Sequence, residues 1–265
     1  MTTPGPTSRS ARRCGWRLVI LMPALLVLTG CVTAKKYRLA KPNTPPAKLL
    51  NWQAETPPVE LTLQTVIIFK GPGSWKREAR WDEYRVQLAN HGDQPAMVDT
   101  AALTDLQGTP QFPGTEPWAL EQLSYTNWDK YGKKGVKLLA GAGALMLYGV
   151  AVEAAALSSF LAGGATTGAV VIVDVIPVVA VVDIAVVAVM NHNNKVKVQE
   201  EFNRRRLSLP LTLPPGKSVA GSLFFPMTPG PQRLRLKGRS GDTPFELVLE
   251  LKPLAGLHLK PAAAK

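Results

Sequence analysis

The sequence predicts a mainly β protein with an α insertion, a two-sheet sandwich interrupted by an apolar helical hairpin. Seven short runs alternate apolar and polar residues with the period of two that strands show when one side faces a core. Clusters of Gly, Pro, Asn and Asp separate these runs, which is typical of turns. A long stretch rich in Val, Ile, Leu and Ala, over 136–190, breaks the series after the third run.

The first thirty residues have the pattern of an export leader. Arg9, Arg12, Arg13 and Arg17 form a basic start without an acidic residue, and the apolar run LVILMPALLVLTG follows them. This run is too short to cross a bilayer by itself. Part of the formal net charge of +12 therefore belongs to the leader rather than to the folded protein.

The leader ends in LTGC, with a leucine three positions before Cys31 and small residues between them. This pattern resembles the lipobox of bacterial lipoproteins. The resemblance implies that residues 1–30 are a signal peptide and that Cys31 becomes the acylated N-terminus. The alternative is an ordinary signal peptide in which the cysteine occurs by chance. Cys14 is the other cysteine of the chain, so we expect neither a disulfide nor a thiolate metal ligand after cleavage.

The residue after the cysteine bears on location. Val32 is not the aspartate that usually retains members of this family at the inner membrane. The resemblance therefore implies a lipid-anchored outer-membrane protein that faces the periplasm, with the inner membrane and the cell surface as alternatives. Residues 31–58 are rich in Pro and Lys and lack an apolar period, which predicts a lipid-bearing tether.

The sandwich is expected in two pieces, 59–114 and 207–253, followed by a tail over 254–265. In the first run, the residues predicted to share the core face are Val59, Leu61, Leu63, Ile67 and Phe69. In the last run they are Phe245, Leu247, Leu249 and Leu251, with Glu246 and Glu250 facing outward. Seven short strands separated by turns suggest a sandwich of the immunoglobulin type.

Three phrases strengthen this expectation: NHGDQPAMV, LTDLQGT and LTLPPGKSVAGSLFFP. They resemble the Ig-like periplasmic modules of unassigned function found in many bacterial lipoproteins. The matching residues, in order, are Asn90, Gly92, Pro95, Asp105, Gly108, Pro215, Gly216 and Ser218. Because these residues form turns, the resemblance implies a fold rather than an activity.

The insertion is expected to span 115–206. It opens with a short amphipathic helix containing Trp118, Leu120, Leu123 and Trp128, and it closes with the polar segment NHNNKVKVQEEFNRRR. Between them, two apolar segments joined by a glycine-rich turn predict a helical hairpin over 136–190. A helix of 26 residues would be about 39 Å long, enough to cross a hydrocarbon core of about 30 Å.

Small and acidic residues are the candidate membrane or helix-contact positions of this hairpin. Gly164 and Gly168 allow close helix contact and give a partial resemblance to the glycine-zipper hairpins of some outer-membrane lipoproteins. Glu153, Asp174 and Asp183 oppose insertion, since an acid at mid-bilayer costs about 2.5–3.5 kcal/mol. Insertion into the bilayer and burial against protein therefore both remain open.

A catalytic site is not predicted. His91, His192 and His258 are scattered without a second ligand at metal spacing, and the GKS of residues 216–218 lacks the phosphate-loop context. We therefore expect no cofactor and no metal, and the expected periplasmic location argues against bound nucleic acid.

Two charged stretches are candidate surfaces. SWKREARWDEYR is interpreted as a solvated face, with contact to an anionic partner as the alternative. In RLRLKGR, the residues Arg233, Arg235 and Lys237 project from one side of a strand and are candidates for contact with an anionic partner.

Three classes of function follow. The first is a lipid-anchored envelope protein, not an enzyme, that scaffolds or stabilises a membrane-associated assembly through a protein partner or through self-association of the hairpin. The second is a protein whose hairpins insert, oligomerise and alter the bilayer. The third is an envelope enzyme with an unrecognised site.

Overall fold

The computed structural model describes residues 38–39, 47–139 and 179–260. Eleven strands and two α-helices lie within these ranges. The strands are β1 (Arg38–Leu39), β2 (Trp52–Thr56), β3 (Val59–Ile67), β4 (Lys76–Arg77), β5 (Asp82–Asn90), β6 (Ala96–Thr104), β7 (Pro110–Gln111), β8 (Leu211–Leu213), β9 (Ser218–Phe225), β10 (Arg233–Ser240) and β11 (Thr243–Glu250). The helices are α1 (Pro117–Lys133) and α2 (Val179–Arg205), and a 3₁₀ turn spans Lys252–Leu254.

The strands form two main antiparallel sheets. One has four strands in the order β2-β3-β5-β9, and the other has five, in the order β11-β10-β6-β7 with β8 also paired to β6. A separate two-stranded ribbon joins β1 to β4. The main core contains side chains of both sheets, including Leu61 and Leu88 from the first and Leu103, Leu236 and Leu247 from the second, all fully buried. The prediction of a mainly β protein with a helical insertion is confirmed.

The seven predicted runs correspond to β3, β5, β6 and β8 to β11. The four remaining strands were not predicted. Among them, β2 lies within the segment expected to be a tether, where its five residues pair with β3. The other three, β1, β4 and β7, have two residues each, too few for a period of two to be recognised.

A bulge in β3 changes which residues face the core. Its pairing with β5 shifts register between Leu63 and Thr65. An extra residue at such a point exchanges the two faces of the strand beyond it. Val66 and Ile68 therefore enter the main core, and the prediction that Ile67 and Phe69 continue the core face is wrong.

Two of the residues quoted from the three phrases, Asn90 and Asp105, bond to the backbone through their side chains. Asn90 donates from its side chain to the carbonyl oxygens of Gln94 and Leu213 and accepts from the backbone N–H of Gly92. Asp105 accepts two backbone N–H bonds within its own turn, each of 2.8 Å. Gly108 in that turn has φ of +79°, a conformation that glycine adopts without steric cost.

The two helices cover the outer face of the four-stranded sheet. Leu120 of α1, and Val198 and Phe202 of α2, pack with Trp81 and Phe224 in a second hydrophobic cluster. β1 also contacts α2, and its partner β4 places Lys76 over the ring of Trp81. We call α1, α2 and the β1–β4 ribbon together the covering layer.

The insertion begins and ends at neighbouring points of β9. Gly114 donates its backbone N–H to the carbonyl of Phe224, and Leu207 donates to that of Ser222, at 2.8 and 2.9 Å. The guanidinium of Arg206 lies 3.4 Å from the carbonyl oxygen of Thr115. At Gly114 a β-carbon would lie 2.4 Å from Leu120, so the entry to the insertion requires glycine.

Most of the predicted hairpin, residues 140–178, lies outside the described residues. At its start, Leu138 forms a bridge with Leu259 instead of beginning a helix. At its end, α2 runs without interruption through the expected boundary at 190 to Arg205. Within the described residues, no helix is both long enough and apolar enough to cross a membrane.

Candidate functional site

The basic residues predicted on β10 lie together on its outward side. Arg233 and Arg235 are each paired with a glutamate of β11, Glu250 and Glu246, at 2.9 Å. Lys237 is exposed. Contact of this surface with an anionic partner stays a prediction. Two of the three cations predicted to make it, Arg233 and Arg235, already have a carboxylate partner.

The other predicted site residues belong to the leader and the hairpin. Cys31, Glu153, Gly164, Gly168 and Asp174 lie outside the described residues. Asp183 falls within α2.

The densest cluster of buried ionisable side chains in the described residues lies instead around the start of β5. Lys76, Asp82, Glu83 and His258 are between 0 and 2% exposed, an unusual density of buried ionisable groups. The interpretation of SWKREARWDEYR as a solvated face is therefore wrong. Helices from the insertion and a turn from the C-terminus cover this stretch.

Asp82 and Glu83 are consecutive in a strand, so their side chains point to opposite faces of the sheet. Glu83 points outward, beneath the covering layer. Its carboxylate accepts hydrogen bonds from Trp75 Nε1 at 2.5 Å and from the Ser222 hydroxyl at 2.7 Å. Arg205, near the end of α2, lies 3.5 Å from the same carboxylate. Glu83 therefore links the end of the insertion to two strands and a loop.

Arg205 has a second carboxylate partner within its own helix. Its Nε lies 2.6 Å from Glu201, which also binds Arg204. The hydrogen bond from Arg204 contributes most to lowering the pKa of Glu201 to about 2. The last turn of α2 is thus an ion-pair network that ends on the buried Glu83.

Lys76 is the buried cation of this region. Its ammonium nitrogen lies 3.5 Å from the centroid of the Trp81 ring, a cation–π contact. That nitrogen has no hydrogen-bond partner within the described residues. Burial lowers the pKa of Lys76 from 10.5 to about 8, against the opposing effect of the carboxylates of Asp82, Glu83 and Glu121.

Asp82 points inward and meets His258. Nε2 of the imidazole lies 2.9 Å from Oδ2 of the carboxylate, and both side chains are buried. Asp82 Oδ1, His258 Nδ1 and the Tyr84 hydroxyl have no partner within the described residues. Burial, with a further contribution from Asp82, raises the pKa of Tyr84 well above its ordinary value.

His258 belongs to a C-terminal clasp, which we define as residues 252–260. The His258 carbonyl accepts the N–H of Leu139 at 2.8 Å, and the N–H of Lys260 bonds to the Lys137 carbonyl at 2.8 Å. The clasp therefore holds the last described residues before 140. The clasp is held by the bond from His258 to Asp82, by a 2.8 Å bond from the Gly230 N–H to the Leu257 carbonyl, and by Leu254 and Leu257 in the main core.

A further polar contact ties α1 to the sandwich. The Tyr131 hydroxyl donates to Asp105, the carboxylate that also organises the turn after β6. Ser124 Oγ accepts the N–H of Met227 at 2.9 Å, and Asn127 donates to the carbonyl of the same residue at 3.0 Å. α1 is thus bound by directional contacts as well as by apolar packing.

The charged side chains around Asp82 and Glu83 are sealed from solvent in this conformation, and a general acid or base has to lie within hydrogen-bonding distance of its substrate. No cluster of three or more potential metal ligands occurs within the described ranges.

Sequence reasoning missed this cluster because its partners are distant in the chain. His258 is 176 residues from Asp82, and Ser222 is 139 residues from Glu83. The one available signal was the density of Trp and acidic residues in a single stretch. Comparisons of the chain with protein families, curated proteins and solved structures find no match.

Proposed function

We propose that the chain is a lipid-anchored protein of the Gram-negative cell envelope that stabilises a membrane-associated assembly without catalysing a reaction. In this proposal Cys31 carries the lipid, the anchor lies in the outer membrane, and the folded part faces the periplasm. The LTGC sequence supports the anchor. The protein's partner is then another envelope protein or a second copy of the chain.

One observation carries the scaffolding role. Both ends of the insertion are bonded to β9, and its helices share a buried cluster with that strand. Whatever contacts residues 140–178 is therefore mechanically coupled to the folded body. This arrangement suits a protein that holds a partner in position.

The sandwich fits an Ig-like module in this proposal. Two antiparallel sheets share one core, and the side chains of Asn90 and Asp105 bond to the backbone of the turns that follow their strands. Such modules serve many functions, so the fold supports a binding or structural role only by analogy.

The anchor is tested by intact-mass spectrometry of the protein extracted from membranes of a Gram-negative host. We expect a chain that begins at Cys31 and carries the added mass of acyl groups. Replacement of Cys31 by Ser should leave the leader attached and abolish that mass, whereas replacement of Cys14 by Ser should change neither. An unmodified Cys31 within a longer chain would contradict the proposal.

The scaffolding role is tested by native mass spectrometry of the protein released from membranes in a mild detergent. We expect a stable complex with a defined second subunit or a defined number of copies. A lone acylated monomer under these conditions would refute the scaffold while leaving the anchor intact.

A further inference from the structure

The structure points to one face of the molecule as its contact with the membrane. We propose that the covering layer lies against the surface of a bilayer containing anionic phospholipid, while the five-stranded sheet faces away. This inference rests on the proposed lipid anchor at Cys31. It adds the orientation of the folded body and the chemistry of the lipid that this body contacts.

Only a short stretch of chain separates the proposed lipid anchor from the covering layer. β1 begins at Arg38, seven residues after Cys31, and a chain of that length spans at most about 25 Å. β1 contacts α2 and pairs with β4, so the anchor is tied to the covering layer. The segment 140–178 also connects to this layer, since it follows α1 and the short stretch to 139 and precedes α2.

Basic and aromatic side chains lie side by side in the covering layer. The Arg80 guanidinium lies 4.6 Å from the ring centroid of Tyr125 and 5.4 Å from that of Trp128. Lys195 Nζ lies 5.5 Å from the Trp118 ring. Trp and Tyr beside Arg and Lys are the residues enriched at the level of lipid head groups, because each combines an apolar body with a polar or charged end.

Charge gives the layer its lipid preference. The cations Arg77 and Lys195 are exposed, and Arg80 is partly exposed. Each Arg or Lys close to an anionic leaflet contributes about 1 kcal/mol, which corresponds to about fivefold in partitioning. The acidic residue of α1 nearest to Arg80, Glu121, is buried and accepts the backbone N–H of Arg80 at 2.7 Å.

The opposite face has a different character. The outward residues of β10 and β11 include neither Trp nor Tyr. Two of their arginines are neutralised by ion pairs of 2.9 Å, Arg233 with Glu250 and Arg235 with Glu246. Because two packed sheets and a helix layer separate the two faces, this face lies about 20 Å farther from the bilayer than the covering layer does.

The two faces can be compared with one fluorophore. Gln122 is exposed on α1, four residues after Trp118 and three before Tyr125, and Lys237 is exposed on β10. Because the mature chain is expected to have no thiol besides the acylated Cys31, Gln122→Cys and Lys237→Cys each give a single labelling site. The acylated proteins are labelled with bimane and reconstituted into phosphatidylethanolamine–phosphatidylglycerol vesicles containing a lipid nitroxide at the head-group level.

We expect the nitroxide to quench the label at 122 at least about threefold more than the label at 237, given their separation of about 20 Å. In the Gln122→Cys protein, Arg77→Ser should lower the quenching, and the matched change Lys237→Ser should leave it unchanged. Equal quenching at both positions, stronger quenching at 237, or equal effects of the two serine changes would overturn the inference.

This experiment can refute the proposed lipid anchor and the proposed membrane-facing surface independently of each other. The intact mass of each preparation reports whether Cys31 is acylated. Absence of acyl mass contradicts the proposed function whatever the quenching shows. Acylated protein with equal quenching at 122 and 237 contradicts only the assignment of the membrane-facing surface.

Discussion

Replacement of Phe202 by Ala tests whether the insertion is part of the folded body. Phe202 is fully buried, its ring is stacked on Phe224 with centroids 4.2 Å apart, and it meets Trp81 edge-on at 5.5 Å. Truncating a buried phenylalanine costs about 3–5 kcal/mol, from lost apolar transfer and from the cavity left behind. Since a whole domain is stable by about 5–15 kcal/mol, the loss is a large fraction of the total.

Urea unfolding gives the measurement. Circular dichroism follows the strands and helices, and Trp fluorescence follows the cluster around Trp81. The matched control is Phe112→Ala, because Phe112 is 63% exposed. We expect the free energy of unfolding to fall by about 3–5 kcal/mol for Phe202→Ala and to change by about 0.5 kcal/mol or less for the control.

If the insertion is part of the folded body, the helices and the sheets unfold in one transition, and Phe202→Ala lowers the urea concentration of that transition. Phe202 comes from the insertion, whereas Phe224 and Trp81 come from the sandwich and its approach to β5. If Phe202→Ala shifted only a small helical transition and left the β-sheet transition at the wild-type urea concentration, the insertion would be a separate unit. Equal effects of Phe202→Ala and Phe112→Ala would refute the packing itself.

Three further predictions concern the buried charges and the insertion. For Lys76→Met, we expect the free energy of unfolding of the wild type, relative to that of the variant, to rise between about pH 8 and 10.5, because the folded state disfavours the protonated lysine. Urea unfolding at a series of pH values should show a rise of about 3 kcal/mol. A difference that does not change with pH would refute the prediction. His258→Asn removes the partner of a buried carboxylate and should cost about 3 kcal/mol in thermal or urea unfolding, whereas His91→Asn, at an exposed pair with Glu60, should cost at most about 1 kcal/mol. Replacing 140–178 by a long Gly-Ser linker should preserve cooperative unfolding, measured by circular dichroism. Removing 115–206 should instead cause aggregation. If the larger deletion gave a soluble protein that unfolds cooperatively, the covering layer would be dispensable.

The strands with one solvated face were the predictable part of this fold. In β11, the alternation of Phe245, Leu247 and Leu249 with outward residues follows from burial on one side alone, and the structure reproduces it. In β3, the same reasoning succeeds up to Leu63 and fails beyond the bulge at Thr65. A bulge adds one residue without changing the local composition, so the apolar pattern alone does not locate it.

The buried charges were unpredictable for a different reason. A charged residue on the outward side of a strand is ordinarily solvated. Judged from strand β5 alone, Glu83 would be such a residue. It is buried because Arg205, 122 positions later in the chain, ends a helix that packs over it. Which face of a sheet receives a helix depends on where the insertion re-enters the sandwich, and no local pattern around Glu83 records that point.

The sequence divides the chain into a sandwich over 59–114 and 207–253 and a separate insertion over 115–206. In the structure, the four-stranded sheet has buried apolar residues on both of its faces. Trp81 and Phe224 face outward and are buried only through contacts with Leu120 and Phe202. A sheet with large aromatic residues on its outer side needs a cover, since an exposed patch of that kind promotes association. α1 and α2 are therefore structural parts of the body.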